Sequence, residues 1–144
     1  MIEAAIYELL HGDTAVAAIV GDRIYPLVAP QRKALAYPNV PKTYVTYERT
    51  GGTRNMPLNG VNGFVVAVYR IMGFAYNYEL AKTLGESIRL KLDGYRGSAG
   101  GHPIQRIWCD NDIDGYEYET DATETAVFQV VQDYRIAYAE SVAA

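Results

Sequence analysis

An α+β domain is the fold class the sequence predicts: a largely antiparallel sheet of about four strands, packed by one long helix and opened by an N-terminal helical hairpin. Three observations predict it. Helical periodicity opens the chain and returns at residues 76–93, and two pairs of strand-like segments flank that second stretch. The resulting order, α-α-β-β-α-β-β, is joined mainly by hairpin-like connections.

Ile2, Ala5, Ile6 and Leu9 lie at helical spacing and form a short amphipathic helix interrupted at His11-Gly12, with His11 as a C-terminal cap residue. Asp13 then serves as N-cap of a second helix that Gly21 stops in the C′ position, and Pro26 biases Tyr25 toward an extended exit. Pro38 and Pro41 forbid a central strand over residues 37–41, whereas Tyr44, Val45, Thr46 and Tyr47 give residues 43–48 strand character. Residues 64–72 form the next, valine-rich strand. Between them, residues 49–63 hold Gly51, Gly52, Asn55, Pro57, Asn59, Gly60, Asn62 and Gly63 and read as a long hairpin loop.

Leu80, Leu84, Ile88 and Leu92 recur every fourth residue with Glu79, Lys82, Glu86 and Arg89 on other faces, so residues 76–93 form the longest helix and Gly94 ends it. Gly97 to Gly101 reads as a flexible connection. Residues 104–109 and 126–139 close the sheet; in the latter Phe128, Val130, Tyr134, Ile136 and Tyr138 share a face, interrupted by Gln132.

With 144 residues and 49% hydrophobic content, one domain spanning residues 1–144 is expected to bury a real core. No apolar run approaches the roughly 18 residues that span a bilayer. Glu3 and Glu8 replace the basic flank of a signal peptide, so a soluble chain without membrane partner is expected. The single Cys109 excludes an internal disulfide and fits a reducing compartment.

The net charge of −4 is uneven: seven of the 17 acids lie in residues 110–124, which hold no Lys or Arg, leaving 13 basic and 10 acidic groups elsewhere. A basic patch interleaved with aromatics is absent despite 13 tyrosines, so tight nucleic-acid binding is not expected. Of those rings, Tyr7, Tyr44, Tyr47, Tyr69, Tyr134 and Tyr138 fall on core or sheet-face positions. Tyr25, Tyr37, Tyr116 and Tyr118 fall on exits and loops, where amphipathic rings suit an interface.

Asp110-Asn111-Asp112-Ile113-Asp114-Gly115 matches the first half of a calcium loop, in which spaced oxygens encircle a hard cation. Its second half departs from that pattern. Asp121 stands where a bidentate Glu is needed, Glu117 where an apolar residue is usual, and the flanks read as strands. The candidate calcium set is therefore Asp110, Asp112, Asp114 and Asp121, set against an acidic hairpin loop over residues 110–124 hydrated by solvent. His102, Cys109 and Asp110 do not make a convincing nucleophile site, because a lone strand cysteine is usually a small buried hydrophobe. No zinc pattern exists, and neither glycine-rich stretch has the Gly-Lys-Ser/Thr ending of a phosphate loop. No enzymatic activity and no cofactor are expected.

The segment Val20-Gly21-Asp22-Arg23-Ile24-Tyr25-Pro26, the helix end Leu92-Asp93-Gly94-Tyr95 and the final strand ending Tyr134-Arg135-Ile136-Ala137-Tyr138 occur in the order found in tail completion (tail terminator) proteins of long-tailed bacteriophages. The chain resembles that family over nearly its whole length, departing by an extra Pro38 to Lys42 and by the glycine-rich turn at 97–101. The resemblance implies a structural virion assembly protein at the tail-head interface, assembled in the host cytoplasm. It would cap the tail tube, end polymerisation and join the tail to the head connector as a hexameric ring. Implied partners are further copies of the chain, the tail tube protein and the connector or head-closure protein, with genome DNA passing through unbound. A head-closure or adaptor role in the neck and a calcium-stabilised binding module are the alternatives.

Within that reading the loop at 49–63 becomes a contact arm, with Gly51, Gly52, Arg54, Met56 and Leu58 as interface candidates. Asp112, Asp114, Glu117 and Glu119 become lumen or connector contacts. Acids facing a channel repel phosphate and let DNA slide.

Overall fold

A computed structural model describes residues 1–28, 43–54, 63–118 and 126–140. Helices α1 (Glu3–His11) and α2 (Thr14–Val20) form the expected opening pair. Asp13 caps α2 by accepting a hydrogen bond from the Val16 amide at 3.1 Å, and Gly21 turns the chain out with φ +59°. Strand β1 (Ile24–Pro26) follows, then β2 (Tyr44–Arg54), β3 (Phe64–Ala75), helix α3 (Tyr78–Leu92), β4 (Gly97–Ala99), β5 (His102–Tyr118) and β6 (Ala126–Ala139).

Among the described residues the sheet has six strands rather than about four, in the order β1-β2-β3-β6-β5-β4, curled into a half-barrel. β1 pairs with β2 in parallel, and every other pairing is antiparallel. The two additional strands are three-residue edge pieces. The extended exit before Pro26 joins β2, and the expected flexible connection at Gly97 is instead a tight hairpin against the start of β5. That hairpin is seated on α1. Gly100 has φ +55°, its amide donates to the Glu8 carboxylate, and an added Cβ would lie 2.6 Å from the Ala5 nitrogen. Only glycine fits both the backbone conformation and the gap.

Both long loops are shorter than the sequence predicts. The segment read as a loop at 49–63 is strand through Arg54, because a bulge between Arg49 and Gly51 keeps Gly51, Gly52, Thr53 and Arg54 paired with β3. The acidic segment read as a loop at 110–124 is strand through Tyr118, with a second bulge between Cys109 and Asn111. Residues 29–42, 55–62 and 119–125 lie outside the described residues.

The three helices of the described residues pack on one face of the sheet. Alternate β3 residues, Val65, Ala67, Tyr69 and Ile71, are buried there with Leu84, Ile88 and Leu92 of α3 and Ile6 and Leu10 of α1. Asn77 caps α3, its side chain accepting from the Leu80 amide at 2.7 Å, and so leaves Tyr76 outside the helix. Gly85 brings α3 close to the sheet, since a Cβ there would meet Val130 at 2.8 Å. Gln132, which breaks the apolar pattern of β6, does not break its register. It is 2% exposed, donates Nε2–H to the Gly85 carbonyl at 2.9 Å and accepts the Tyr134 hydroxyl at 2.7 Å. A buried amide satisfied on both sides joins helix to strand.

Candidate functional site

The β2–β3 and β5–β6 hairpins connect at opposite ends of the sheet, because β3 is paired along its whole length antiparallel to β6. The face away from the helices carries the other half of each strand. On β3 these are Phe64, Val66, Val68, Met72 and Phe74, all half-buried, interrupted by Arg70. Arg70 pairs at 2.9 Å with Asp133 of β6, and the neighbouring Val131 stands opposite Ile113 of β5. Ile113 is 49% exposed. A strand buried on one side and apolar on the other is built to be covered on both.

At the far end of the β5–β6 ribbon, Asp114 accepts the Tyr78 hydroxyl at 2.8 Å and the Lys82 ammonium at 3.1 Å, tying the ribbon to the first turns of α3. The Tyr78 hydrogen bond, followed by that of Lys82, holds the Asp114 carboxyl below its ordinary value. Tyr78 stacks edge-on with Phe128, and Tyr76 and Tyr116 are exposed beside them at 58% and 61%. Asp112 is exposed on the strand face it shares with Asp114.

The calcium candidates are dispersed by this geometry. Asp110 sits at the bulge and pairs with Arg135 at 3.2 Å, whereas Asp114 turns to Lys82 under α3. Spacing that would encircle an ion in a loop is spread along a strand, and among the described residues no cluster of three acidic, His or Cys side chains could hold a metal. Asp121 and Glu119 lie outside the described residues. Glu117 is paired with Val127 in the ladder.

Of the arm candidates, Gly51 and Gly52 are exposed strand residues and Arg54 is held by the Glu140 carboxylate through two guanidinium nitrogens. That hydrogen bond lowers the Glu140 pKa and raises that of Arg54. Met56 and Leu58 lie outside the described residues. Arg49, not singled out by sequence, lies over the Tyr69 ring at 6.0 Å and donates to the Tyr138 hydroxyl at 3.3 Å.

His102 and Cys109 are not brought together as a base and nucleophile. The His102 ring meets the Met1 amine at 3.0 Å, while the Cys109 thiol points at the Asn111 carbonyl at 3.5 Å and is pushed up by burial. His11 ends α1 stacked on Tyr7.

Sequence reasoning missed an open cavity of about 750 Å³ on β5, lined by Ile104, Trp108 and Ala137 together with Arg96 and Arg106. It also missed the apolar outer face. The near-continuous apolar run Phe64 to Met72 signals a strand covered on both sides, which a half-exposed strand does not require.

The sequence profile of the family described as Tail completion protein gp17 matches residues 4–139. A chain of the virion of a native gene transfer agent (GTA) particle superposes with a TM-score of 0.66, at 19% identity, over 94% of this chain and 94% of that one, a likeness of fold. No curated protein matches the sequence. The fold of three helices on a curled six-stranded sheet and the family match over nearly the whole chain agree, and the chain belongs to the tail completion protein gp17 family of structural, non-enzymatic phage tail proteins.

Proposed function

We propose that this protein caps the tail tube, ends its polymerisation and joins the tail to the head connector, acting as a hexameric ring. The observation that supports this reading is the apolar outer face centred on β3: among the described residues no helix lies on that side of the sheet, and its half-buried Val66, Val68 and Met72 suit a protein contact. Its mechanism is complementarity: a ring seated on the open tube occupies the edge the next tube subunit needs and offers the head a different surface. The acidic stretch with Asp112, Asp114, Glu117 and Glu119 would serve this assembly in one of two ways, facing the lumen or connector or contacting a neighbouring subunit. Acids lining the channel would let genome DNA pass without being gripped.

Electron microscopy of particles made after deletion of the gene tests this. Full heads beside detached tails with overlong or ragged tube ends are expected. Tails of normal length beside leaking heads would move the protein to head closure, and intact joined particles would remove it from the neck altogether.

A further inference from the structure

We infer that the cavity on β5 is a socket for the acidic, aromatic end of β5 in a second copy of this chain, so that copies join head to tail. The inference rests on the ring reading above for its setting and on four observations for its content. Arg96 and Arg106 are exposed, and among the described residues neither guanidinium is held by a hydrogen bond or ion pair. Between them the wall is apolar, formed by Ile104, Trp108 and Ala137, with Ile104 and Ala137 almost fully buried. A surface that offers two unpaired cations and an apolar floor fits a ligand with an aromatic ring flanked by carboxylates.

The chain itself carries such a ligand. Residues 112–116 of β5 present the exposed Asp112 and the 61% exposed Tyr116 in a stretch of sequence that holds seven acids and no Lys or Arg. Within one molecule the two cannot meet. Residues 106 and 116 lie on one strand, and ten residues of strand put them on the order of 30 Å apart. A contact between different patches of identical copies is heterologous, and it generates a ring when its rotation closes. Two arginines over an apolar floor are too few for a nucleic-acid track, which needs a run of phosphate contacts.

The test uses the full chain with Cys109→Ala as background, so that introduced thiols are the only ones. One variant carries Gln105→Cys at the cavity and another Ile113→Cys beside Asp112, so that both arginines, Asp112 and Tyr116 are kept; each is oxidised alone and as an equimolar mixture. Disulfide trapping captures weak contacts, so a monomeric resting state still gives a reading. Dimers joining one variant to the other should dominate the mixture, and Asp112→Lys in the Ile113→Cys chain should cut their yield at least about tenfold. Adding Arg96→Glu and Arg106→Glu to the Gln105→Cys chain should recover yield with the Asp112→Lys partner.

Equal cross-linking of Gln105→Cys with itself would show an isologous contact and overturn the socket, as would no cross-linking above random collision. Loss of duplex DNA binding in Arg96→Glu with Arg106→Glu, with cross-linking unchanged, would make the cavity a phosphate site instead. Ragged tails on gene deletion without the mixed disulfide would leave the ring standing and refute this contact. The mixed disulfide with normal tails would do the reverse.

Discussion

Gly100 and Gln132 show how much of this fold rests on single side chains, or on the lack of one. Gly100→Ala forces a Cβ into a left-handed conformation 2.6 Å from the α1 backbone, and the expected loss is on the order of 3 kcal/mol by urea unfolding. A loss under about 1 kcal/mol would mean that α1 and the β4–β5 hairpin part easily. Gln132→Ala removes the acceptor for the Tyr134 hydroxyl and a donor to Gly85, and should cost about 2–4 kcal/mol. Adding Tyr134→Phe to Gln132→Ala should recover part of that loss, since no orphaned hydroxyl remains; strict additivity would show that the bond contributes nothing. Burial raises the Tyr134 pKa, with Cys109 next in effect, so the hydroxyl stays a donor through the neutral range.

At the scale of elements, the tie between α3 and the β5–β6 ribbon depends on pH. The folded pKa of Asp114 lies below its ordinary value of 3.8, so its contribution is present above that value and is lost as pH falls through the lower, folded one. Asp114→Asn should therefore lower the melting temperature near neutrality, and the difference from the parent should fade below about pH 4. A difference that persists unchanged into acid would assign the tie to packing instead. The group is partly exposed, so the shift should be modest.

Helices α2 and α3 were legible because their signals are local: Asp13 and Gly21 bracket α2, and four leucine or isoleucine positions mark α3. β3 was legible by composition, and its second apolar face was not, since propensity does not tell which side a partner covers. Gly51 and Gly52 read as loop because glycine usually ends a strand, whereas here the bulge after Arg49 carries the ladder past them. The acidic half of β5 read as loop because polar residues on both faces erase the period-2 signal. The cavity was invisible for another reason: Arg96, Trp108 and Ala137 meet only once β4, β5 and β6 are side by side.

For the molecule as a whole, the proposed assembly role separates folding from function in a way that stability measurements alone cannot. Ile113→Lys places a charge on the outer face at a position 49% exposed, so unfolding free energy should stay within about 1 kcal/mol of the parent. In a strain lacking the gene, the same variant should fail to restore joined particles. Full restoration would show that this part of the face stays in solvent. The parent should also leave the mobility of duplex DNA unchanged at physiological salt, and a salt-sensitive shift would contradict passage without gripping.

The strand order has a consequence for how the chain comes to exist at all. β6, the last strand in sequence, lies between β3 and β5 at the centre of the sheet. During synthesis the ribosome therefore releases two half-sheets, β1-β2-β3 and β4-β5, that share no edge until Ala126 onward arrives to zip them together. A chain stopped before that point has no continuous outer face and no β6 wall for the cavity. Late insertion of a central strand makes folding non-local and slow, and a subunit truncated before it would lack both surfaces proposed above to contact other proteins.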